Sequence, residues 1–256
     1  MPSPELDVAH LGWLMPEWPA PAWVRACSTT RSGGVSEGCF ASLNLAEHVG
    51  DDPSHVAANR RRLLEALHLP AMPLWLSQVH GTSVVDVATA KPACEADASL
   101  AARSDIVCAV LTADCLPVLL CDSGGTRVAA VHAGWRGLLA GVIEKAVLAL
   151  HGPGSQLLAW LGPAIGPEAF EVGDEVRDAF VAADAQASLA FEPTATGRWL
   201  ADIYMLARQR LARVNVTAVS GGHWCTVNDE ARFYSYRRDG VTGRMASLIW
   251  LDTSRR

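Results

Sequence analysis

The sequence contains only two lysines, Lys91 and Lys145, and no cluster of basic residues. Arginine supplies the rest of the positive charge, and the formal net charge is -6. A protein whose main partner is a nucleic acid needs clustered Lys and Arg to neutralise phosphates. We therefore expect a protein that does not act on nucleic acid.

A secretion signal and long hydrophobic runs are also missing. The first residues, M-P-S-P-E-L-D, contain neither a basic segment nor an apolar segment, so we expect no secretory signal. The longest apolar stretches are interrupted by Asp114, Pro117 or Glu144, and none reaches the ~20 residues that span a bilayer. These absences predict a protein without a membrane segment.

A disulfide framework is not indicated either. The seven cysteines are odd in number and scattered along the chain, whereas a disulfide framework needs an even number. Unpaired thiols are typical of a reducing environment. We therefore predict a cytoplasmic protein.

The sequence does contain enough apolar residues for one sizeable core. Half of the 256 residues are hydrophobic, and a chain of this length is too short for two large domains. No internal repeat or linker is visible. We predict a single domain over residues 1–256, in which residues 1–23 form an irregular arm, rich in Trp and Pro, that packs on the body through its indoles.

The hydrophobic patterns predict both helices and strands. Helices are expected over residues 53–68, from residue 138, near 172–184 and over 202–213. Strands are expected from residue 24, over 73–88, on both sides of residues 113–115, over 126–132, from 156, over 214–220 and at 247–251, with a loop of small residues at 90–104. The mixture predicts one α/β or α+β domain with substantial sheet.

Three side chains with metal-binding chemistry lie at expected strand ends. They are His80 in S-Q-V-H-G, Cys115 in L-T-A-D-C-L-P and His132 in V-H-A-G-W-R-G. Two imidazoles and a thiolate suit zinc, and three protein ligands leave a fourth position open for water or substrate. The separations of 35 and 17 positions are far from zinc-finger spacings, so the fold would have to assemble the site.

Each of the three has a structural alternative. A buried Cys is commonly a small apolar residue, and a His at a strand end is often only hydrogen-bonded. All three residues lie beside Gly, Pro or Asp at expected strand ends, and this joint occurrence favours a metal site over three unrelated structural residues. Asp114 could orient a histidine or act as a base on substrate or water, or it could simply be a turn residue between two strands.

Several other residues are candidates for binding the substrate. Arg31 lies beside hydroxyls in T-T-R-S-G-G, and Asn44 interrupts the apolar pattern of S-L-N-L. Arg136 follows His132 at a strand-to-helix turn, where helix-end amides favour an anion. The alternative for exposed arginines, including Arg237, Arg238 and Arg244, is that they are solvated surface residues without a binding role.

His223 and Cys225 form a second, weaker candidate pair for binding a metal. Their spacing of two positions would place both on one face of a strand.

An ordered set of motifs resembles one known family over residues 28–250. The motifs are T-T-R-x-G-G-V-S, S-L-N-L, Q-V-H-G, T-A-D-C-x-P, V-H-A-G-W-R-G, L-G-P-x-I-G, C-T and S-Y-R-R-D-G-x-T-G-R. They are similar to those of YfiH-type proteins, also called laccase-domain, polyphenol oxidase or peptidoglycan-editing-factor proteins.

The resemblance implies a zinc site made by His80, Cys115 and His132. It implies phosphorolysis of purine nucleosides, with adenosine deaminase and methylthioadenosine phosphorylase activities at the same site. It also implies a layered α/β/β/α fold similar to that of cysteine-deamidase toxins. That likeness leaves open an alternative in which Cys115 and His132 form a Cys-His hydrolase or editing factor of peptidoglycan precursor metabolism.

A polyphenol oxidase and a non-enzymatic protein are two further alternatives, and the sequence favours them less. A multicopper polyphenol oxidase needs more ligands than eight histidines without an H-x-H pair can supply, although copper can occupy the three-residue site incidentally because it outcompetes zinc at nitrogen and sulfur donors. A non-enzymatic protein with a structural zinc is the third alternative. We expect purine nucleosides and phosphate as partners and a monomeric enzyme, with Cys115, His132 and Asp114 as its catalytic residues.

Overall fold

A computed structural model describes residues 11–252 as a mixed α/β single domain. Its strands are β1 (Val24–Ser28), β2 (Val84–Asp86), β3 (Ala98–Ala101), β4 (Val107–Thr112), β5 (Leu116–Asp122), β6 (Val128–Ala133), β7 (Leu157–Leu161), β8 (Glu171–Val172), β9 (Phe191–Pro193), β10 (Trp199–Ala201), β11 (Ala218–Gly221) and β12 (Met245–Leu251). Its helices are α1 (Pro53–Leu67), α2 (Trp135–Ala140), α3 (Val142–Ala149), α4 (Asp174–Ala183), α5 (Ile203–Arg213) and α6 (Tyr236–Asp239).

Two sheets stack face to face at the centre. One has three antiparallel strands in the order β1-β12-β4, and the other has six strands in the order β11-β7-β5-β6-β3-β2. Strand pairs β11/β7 and β2/β3 are parallel, and the remaining pairs of the six-stranded sheet are antiparallel. A small antiparallel sheet, β8-β10-β9, lies beside them.

The alternation of side chains along β4 and β5 explains the layering. In β4, Val107 and Ala109 pack toward Leu63 of α1, whereas Cys108 and Val110 face the six-stranded sheet. In β5, Leu119 and Cys121 face the three-stranded sheet, and their neighbours face the helical layer that includes α3 and α5. Successive residues of a strand point to opposite faces, so fully apolar strands fit between two layers. The resulting α/β/β/α order agrees with the expected fold class.

Several predicted elements are confirmed. Helix α1 begins at Pro53 after the N-cap Asp52, whose carboxylate accepts the N–H of Ser54. Helix α5 begins after Asp202, whose carboxylate accepts the N–H of Met205. Both caps satisfy backbone donors that the first helical turn leaves unpaired. The arm expected over residues 1–23 stays a prediction: Trp13 is buried in the core beside α1, and residues 1–10 lie outside the described part of the chain.

Other predicted elements were wrong. Within the expected strand at 73–88, only β2 forms, because the backbone N–H groups of residues 79–81 bind the carboxylate of Asp97 instead of a neighbouring strand. The loop expected at 90–104 contains β3, which is buried between β6 and β2 although its residues are small. The helix expected from residue 138 is two helices, because Gly141 adopts a left-handed φ of 93°.

The strand expected over 214–220 is also shorter and later than predicted, since β11 begins only at Ala218. The small sheet of β8, β9 and β10 was not predicted, because its strands have only two or three residues each. Among the described residues, the structure contains no helix that combines the length and apolarity needed to cross a bilayer.

Candidate active site

The structure brings His80, Cys115 and His132 together from three segments. His80 lies in the loop before β2, Cys115 directly precedes β5, and His132 lies in β6. Strands β5 and β6 are neighbours, with Pro117 opposite His132 in the register. This pairing places the start of β5 beside the end of β6, so residues far apart in sequence meet at one edge of the sheet.

The three side chains have the spacing of a metal site. Their possible ligand atoms all lie within 4.8 Å of one another, and Cys115 Sγ is 3.7 Å from His80 Nε2. In a tetrahedral zinc site, sulfur and nitrogen ligands are roughly 3.5 Å apart, given metal–ligand distances of about 2.3 and 2.1 Å. The donor types and their spacing therefore fit a zinc ion.

Asp97 holds the two histidines in place. Its Oδ1 accepts hydrogen bonds from His132 Nδ1 at 2.8 Å and from the backbone N–H of His80 at 2.9 Å. Its Oδ2 accepts the N–H of Gly81 at 2.6 Å and that of Val79 at 3.3 Å. A carboxylate only accepts hydrogen bonds, so His132 carries its proton on Nδ1 and directs Nε2 toward Cys115 and His80.

These contacts also support a less common backbone conformation. His80 has a φ of 59°, in the left-handed region that is unfavourable for residues other than glycine. Asp97 is fully buried, and although burial acts to raise its pKa, the hydrogen bonds from His132, Gly81 and His80 hold the pKa below its usual value. An ionised carboxylate is therefore available to hold this loop.

Cys115 and His132 shift each other's protonation. Burial alone would raise the pKa of Cys115, but the neighbouring His132 and His80 outweigh it and lower the pKa to about 6. Burial alone would lower the pKa of His132, but Cys115 and Asp97 raise it to about 9. At a pH between these two pKa values, Cys115 is a thiolate and His132 an imidazolium when no metal is bound. The thiolate is the form that binds metals and acts as a nucleophile.

Gly134 allows the two ligand-bearing loops to approach helix α2. A Cβ on this residue would lie 2.7 Å from His80 Cδ2 and 2.9 Å from Cys115 Sγ. Gly134 is also the N-cap residue of α2. The glycine in H-A-G-W-R-G is thus needed for space beside the site, and not only for a tight strand-to-helix turn.

Within the described residues, the carboxylate of Asp114 binds Thr226 and Arg237 and neither histidine. One carboxylate oxygen accepts the hydroxyl of Thr226 at 2.6 Å, and the other accepts the backbone N–H of Arg237 at 2.6 Å. The carboxylate that orients His132 is Asp97, which the sequence did not single out. The sequence carried no local signal for this role, because Asp97 precedes a short run of small residues that was predicted to be a loop and instead forms β3.

A cavity of about 250 Å³ opens beside the three side chains. Besides His80, Cys115 and His132, it is lined by His48, Gln78, Leu111, Thr112, Ala113, Tyr236 and Arg244. Burial, Arg244 and Arg60 together lower the pKa of His48 below its usual value, so His48 is neutral at neutral pH. The sequence did not indicate His48 or Gln78, and it predicted Arg244 to be a surface arginine.

The predicted substrate-binding residues occupy other positions. The Nε and Nη1 atoms of Arg31 donate to the carbonyls of Ala41 and Glu230, and Arg31 lines a different surface cavity. Arg136 lies with its guanidinium carbon 4.4 Å from the ring centroid of Trp135. Neither arginine is among the residues that line the cavity beside Cys115.

Asn44 is fully buried and holds neighbouring segments of the chain. Its amide donates to the carbonyl of Ala46 and to Asp51, and its Oδ1 accepts the backbone N–H groups of Ala46 and Arg244. These bonds use the polar atoms of the Asn44 side chain. Asn44 therefore contacts the cavity through the backbone of Arg244.

The second metal-prone pair lies in a separate cavity. His223 packs against the ring of Trp224 with 3.8 Å between ring centroids, and Cys225 Sγ accepts the N–H of Gly166 at 3.3 Å. Within residues 11–252, the His, Cys, Asp and Glu side chains form one group of three suited to a metal, which is His80, Cys115 and His132.

Comparisons with known proteins agree with the motifs. A family model described as multi-copper polyphenol oxidoreductase laccase matches residues 25–252. A Pseudomonas aeruginosa protein named purine nucleoside phosphorylase is 62% identical over 240 residues, covering 93% of this chain and 98% of its own length. Purine nucleoside phosphorylase YfiH of Escherichia coli is 56% identical over the same shares of both chains.

A solved structure is similar over nearly the whole fold. Protein NMB0706 of Neisseria meningitidis superposes with a TM-score of 0.91 at 51% sequence identity, covering 94% of this chain and 99% of its own. The likeness extends through the layers that position His80, Cys115 and His132, because it covers almost all residues of both chains.

Proposed function

The chain belongs to the family described as multi-copper polyphenol oxidoreductase laccase, and from its site and from relatives named purine nucleoside phosphorylase we propose that it is a zinc-dependent purine nucleoside phosphorylase. The proposed substrates are adenosine, inosine, guanosine and methylthioadenosine, each together with phosphate. Two relatives are named purine nucleoside phosphorylase, which supports a purine nucleoside and phosphate as the substrates. The proposal also includes adenosine deaminase activity at the same site.

The observation that carries the proposal is the meeting of three metal-ligand side chains on the wall of one cavity. His80, Cys115 and His132 share this wall, and Arg244 lies on the same cavity. A zinc ion held there by the three residues would act as a Lewis acid. Copper would be an incidental occupant, since it competes well for nitrogen and sulfur ligands.

The proposed reaction replaces one bond at the ribose. An oxygen of phosphate forms a bond to C1′ as the bond from C1′ to the purine nitrogen breaks, and the purine leaves with the bonding electrons and takes up a proton. The products are the free base and ribose 1-phosphate, or 5-methylthioribose 1-phosphate when methylthioadenosine is the substrate. Catalysis by the protein then consists of holding the two reactants in line and excluding water from C1′, an effect that positioning alone can make large.

The residues around the cavity suit this task. Tyr236 lines the cavity with a largely exposed ring, to which a purine can stack. Asp97 keeps His80 and His132 oriented and is shielded from solvent. We assign Cys115 and His132 to the reacting centre, and we assign Asp114 to positioning, since its carboxylate is held by Thr226 and Arg237.

The cellular setting is part of the proposal. All seven cysteines are unpaired, as is usual in a reducing compartment, which supports a cytoplasmic location. We propose that the enzyme acts as a monomer.

A Cys-His hydrolase of peptidoglycan precursor metabolism is the second candidate function. The low pKa of Cys115, the raised pKa of His132 and the bond from His132 to Asp97 favour it, because activated nucleophiles of this type need a base that a third group orients. This function requires no metal, so a metal-free protein that keeps its activity would support it. A polyphenol oxidase has less support, since the one three-residue group found within residues 11–252 cannot hold several copper ions.

Release of hypoxanthine from inosine tests the proposal. We expect release by the purified protein only when phosphate is present, with ribose 1-phosphate as the second product. Cys115→Ala and His80→Ala should each lower the rate by more than roughly 100-fold, because loss of a ligand should exceed the 10- to 100-fold cost of losing an outer partner.

Cys39→Ala is the matched control, because Cys39 is an exposed thiol outside the cavity. It should keep the rate of the unaltered protein. Full phosphate-dependent activity in both Cys115→Ala and His80→Ala would overturn the proposed site.

A further inference from the structure

The active-site cavity is positively charged at one end. Among the described residues that line it, Arg244 is the one with a permanent charge, and none is a carboxylate. Arg244 is close enough to Cys115 for their charges to interact. An anion in this cavity would therefore meet a guanidinium on one side and the three metal-ligand side chains on another.

Contacts within its own loop hold Arg244 in position. Nη1 donates to the carbonyls of Thr242 at 2.8 Å and Gly243 at 3.0 Å, and the backbone N–H donates to Asn44 Oδ1 at 3.0 Å. Within residues 11–252, Nε and Nη2 have no hydrogen-bond acceptor. The guanidinium is thus oriented in advance and still has donors available for a ligand.

The guanidinium of Arg244 also has no ion-paired carboxylate among the described residues, although it lies over the ring of Tyr236 with 5.9 Å between its central carbon and the ring centroid. Other partly buried arginines are paired, as Arg60 is with Glu47 and Arg238 with Asp239, whereas among the described residues no carboxylate lies at ion-pair distance from Arg244. Burial lowers the pKa of Arg244, but a guanidinium stays protonated in proteins. Cys115 and Asp114 interact with the charge of Arg244 from nearby, but neither is hydrogen-bonded to the guanidinium, so a directly bound anion would stabilise this partly buried cation further.

We propose that Arg244 binds the phosphate co-substrate through Nε and Nη2, with His48 as a neutral neighbour that donates one hydrogen bond. The planar fork of a guanidinium matches two oxygens of a phosphate. This inference rests on the proposed phosphorolysis and assigns the place of its second reactant. It replaces Arg31 and Arg136, which the sequence suggested, because neither lines the cavity.

The test measures phosphate separately from nucleoside. In Arg244→Ala and Arg244→Lys, the KM for phosphate should rise roughly 10- to 100-fold, as expected from loss of a charge-assisted pair, while the KM for inosine should change less than about twofold. Arg244→Lys keeps the positive charge and most of the side-chain volume but loses the planar fork. It therefore tests the anion site if Arg244→Ala fails to fold. Arg103→Ala, which removes an exposed arginine paired with Asp105, is the control for loss of a charge.

Calorimetric titration with inorganic phosphate, without nucleoside, separates the two proposals. If phosphate binds to the unaltered protein but not to Arg244→Ala, while no phosphorolysis occurs, the proposed function fails and the anion site stands. If phosphorolysis occurs and Arg244→Ala and Arg244→Lys keep the original KM for phosphate, the anion site is refuted and the function stands. A loss of phosphate binding in Arg31→Ala or Arg136→Ala, with Arg244→Ala unaffected, would also overturn the assignment.

Discussion

Asp97 connects the two histidines of the site through a single buried carboxylate. It accepts hydrogen bonds from the His132 ring and from three consecutive backbone N–H groups, and its own carbonyl accepts the N–H of His132. The loop around His80 and strand β6 are therefore fixed relative to each other. A carboxylate that binds the outer nitrogen of a metal-binding histidine orients the ring and raises its basicity.

Replacement of this carboxylate should weaken metal binding. We expect Asp97→Asn to lower zinc affinity by roughly 10- to 100-fold, the usual cost of losing such an outer partner. The two carboxylate oxygens of Asp97 accept four hydrogen bonds, whereas an amide is neutral and has only one acceptor oxygen. Competition with a chromophoric chelator measures the affinity. Asp105→Asn, which alters an exposed carboxylate paired with Arg103, is the matched control and should bind zinc normally.

An unchanged zinc affinity in Asp97→Asn would contradict the role assigned to this residue. Circular dichroism of both variants establishes that each is folded. Since affinity is measured without substrate, the result does not depend on which reaction the site performs.

The sequence predicted the residues of the triad but not the residue that positions them. His80, Cys115 and His132 stand in distinctive motifs, so their chemistry could be recognised locally. Asp97 could not, because its role depends on β3 lying between β6 and β2. Arg244 lies in a recognisable motif, but its position on the cavity also depends on the fold and could not be predicted from the motif.

At the scale of elements, the start of helix α2 determines how closely the site can pack. Gly134 ends the turn after β6 and lies against both His80 and Cys115. Its φ of -64° is accessible to any residue, so the constraint here is the space for a side chain and not the backbone conformation.

Gly134→Ala should therefore disturb the site without unfolding the helix. The added methyl group must displace His80 or Cys115, and a displacement of about 1 Å can lower activity by roughly 100-fold. Phosphate-dependent nucleoside cleavage measures the effect. Gly152→Ala is the control, because a Cβ there meets no atom within 4 Å. Equal activity of the two variants would show that Gly134 is not needed for space.

The elements that were predicted correctly carry strong local signals, and those that were missed do not. Helices α1 and α5 have a capping Asp at the first turn. Strand β3 contains only Ala, Ser and Leu, and becomes a strand because its neighbours in the sheet supply the hydrogen bonds. The break between α2 and α3 depends on the left-handed Gly141, which an isolated glycine in a helical pattern does not predict reliably.

At the scale of the whole molecule, the two stacked sheets bring the three segments together. Strand β4 belongs to the three-stranded sheet and β5 to the six-stranded sheet, so Asp114 and Cys115 lie where the chain crosses between them. Because β6 pairs with β5, its end reaches the same crossing. The layered fold was implied by the family resemblance, whereas the order of strands could not be obtained from hydrophobic patterns alone.

In the proposed function, one metal ion held by His80, Cys115 and His132 is required for phosphorolysis. This requirement is tested most directly by removing metal with a chelator and titrating the protein with zinc while phosphate-dependent release of hypoxanthine is measured. We expect no release without metal and a linear rise that stops at one equivalent of zinc per chain. Full activity of the metal-free protein, or a rise that continues to several equivalents, would contradict this expectation.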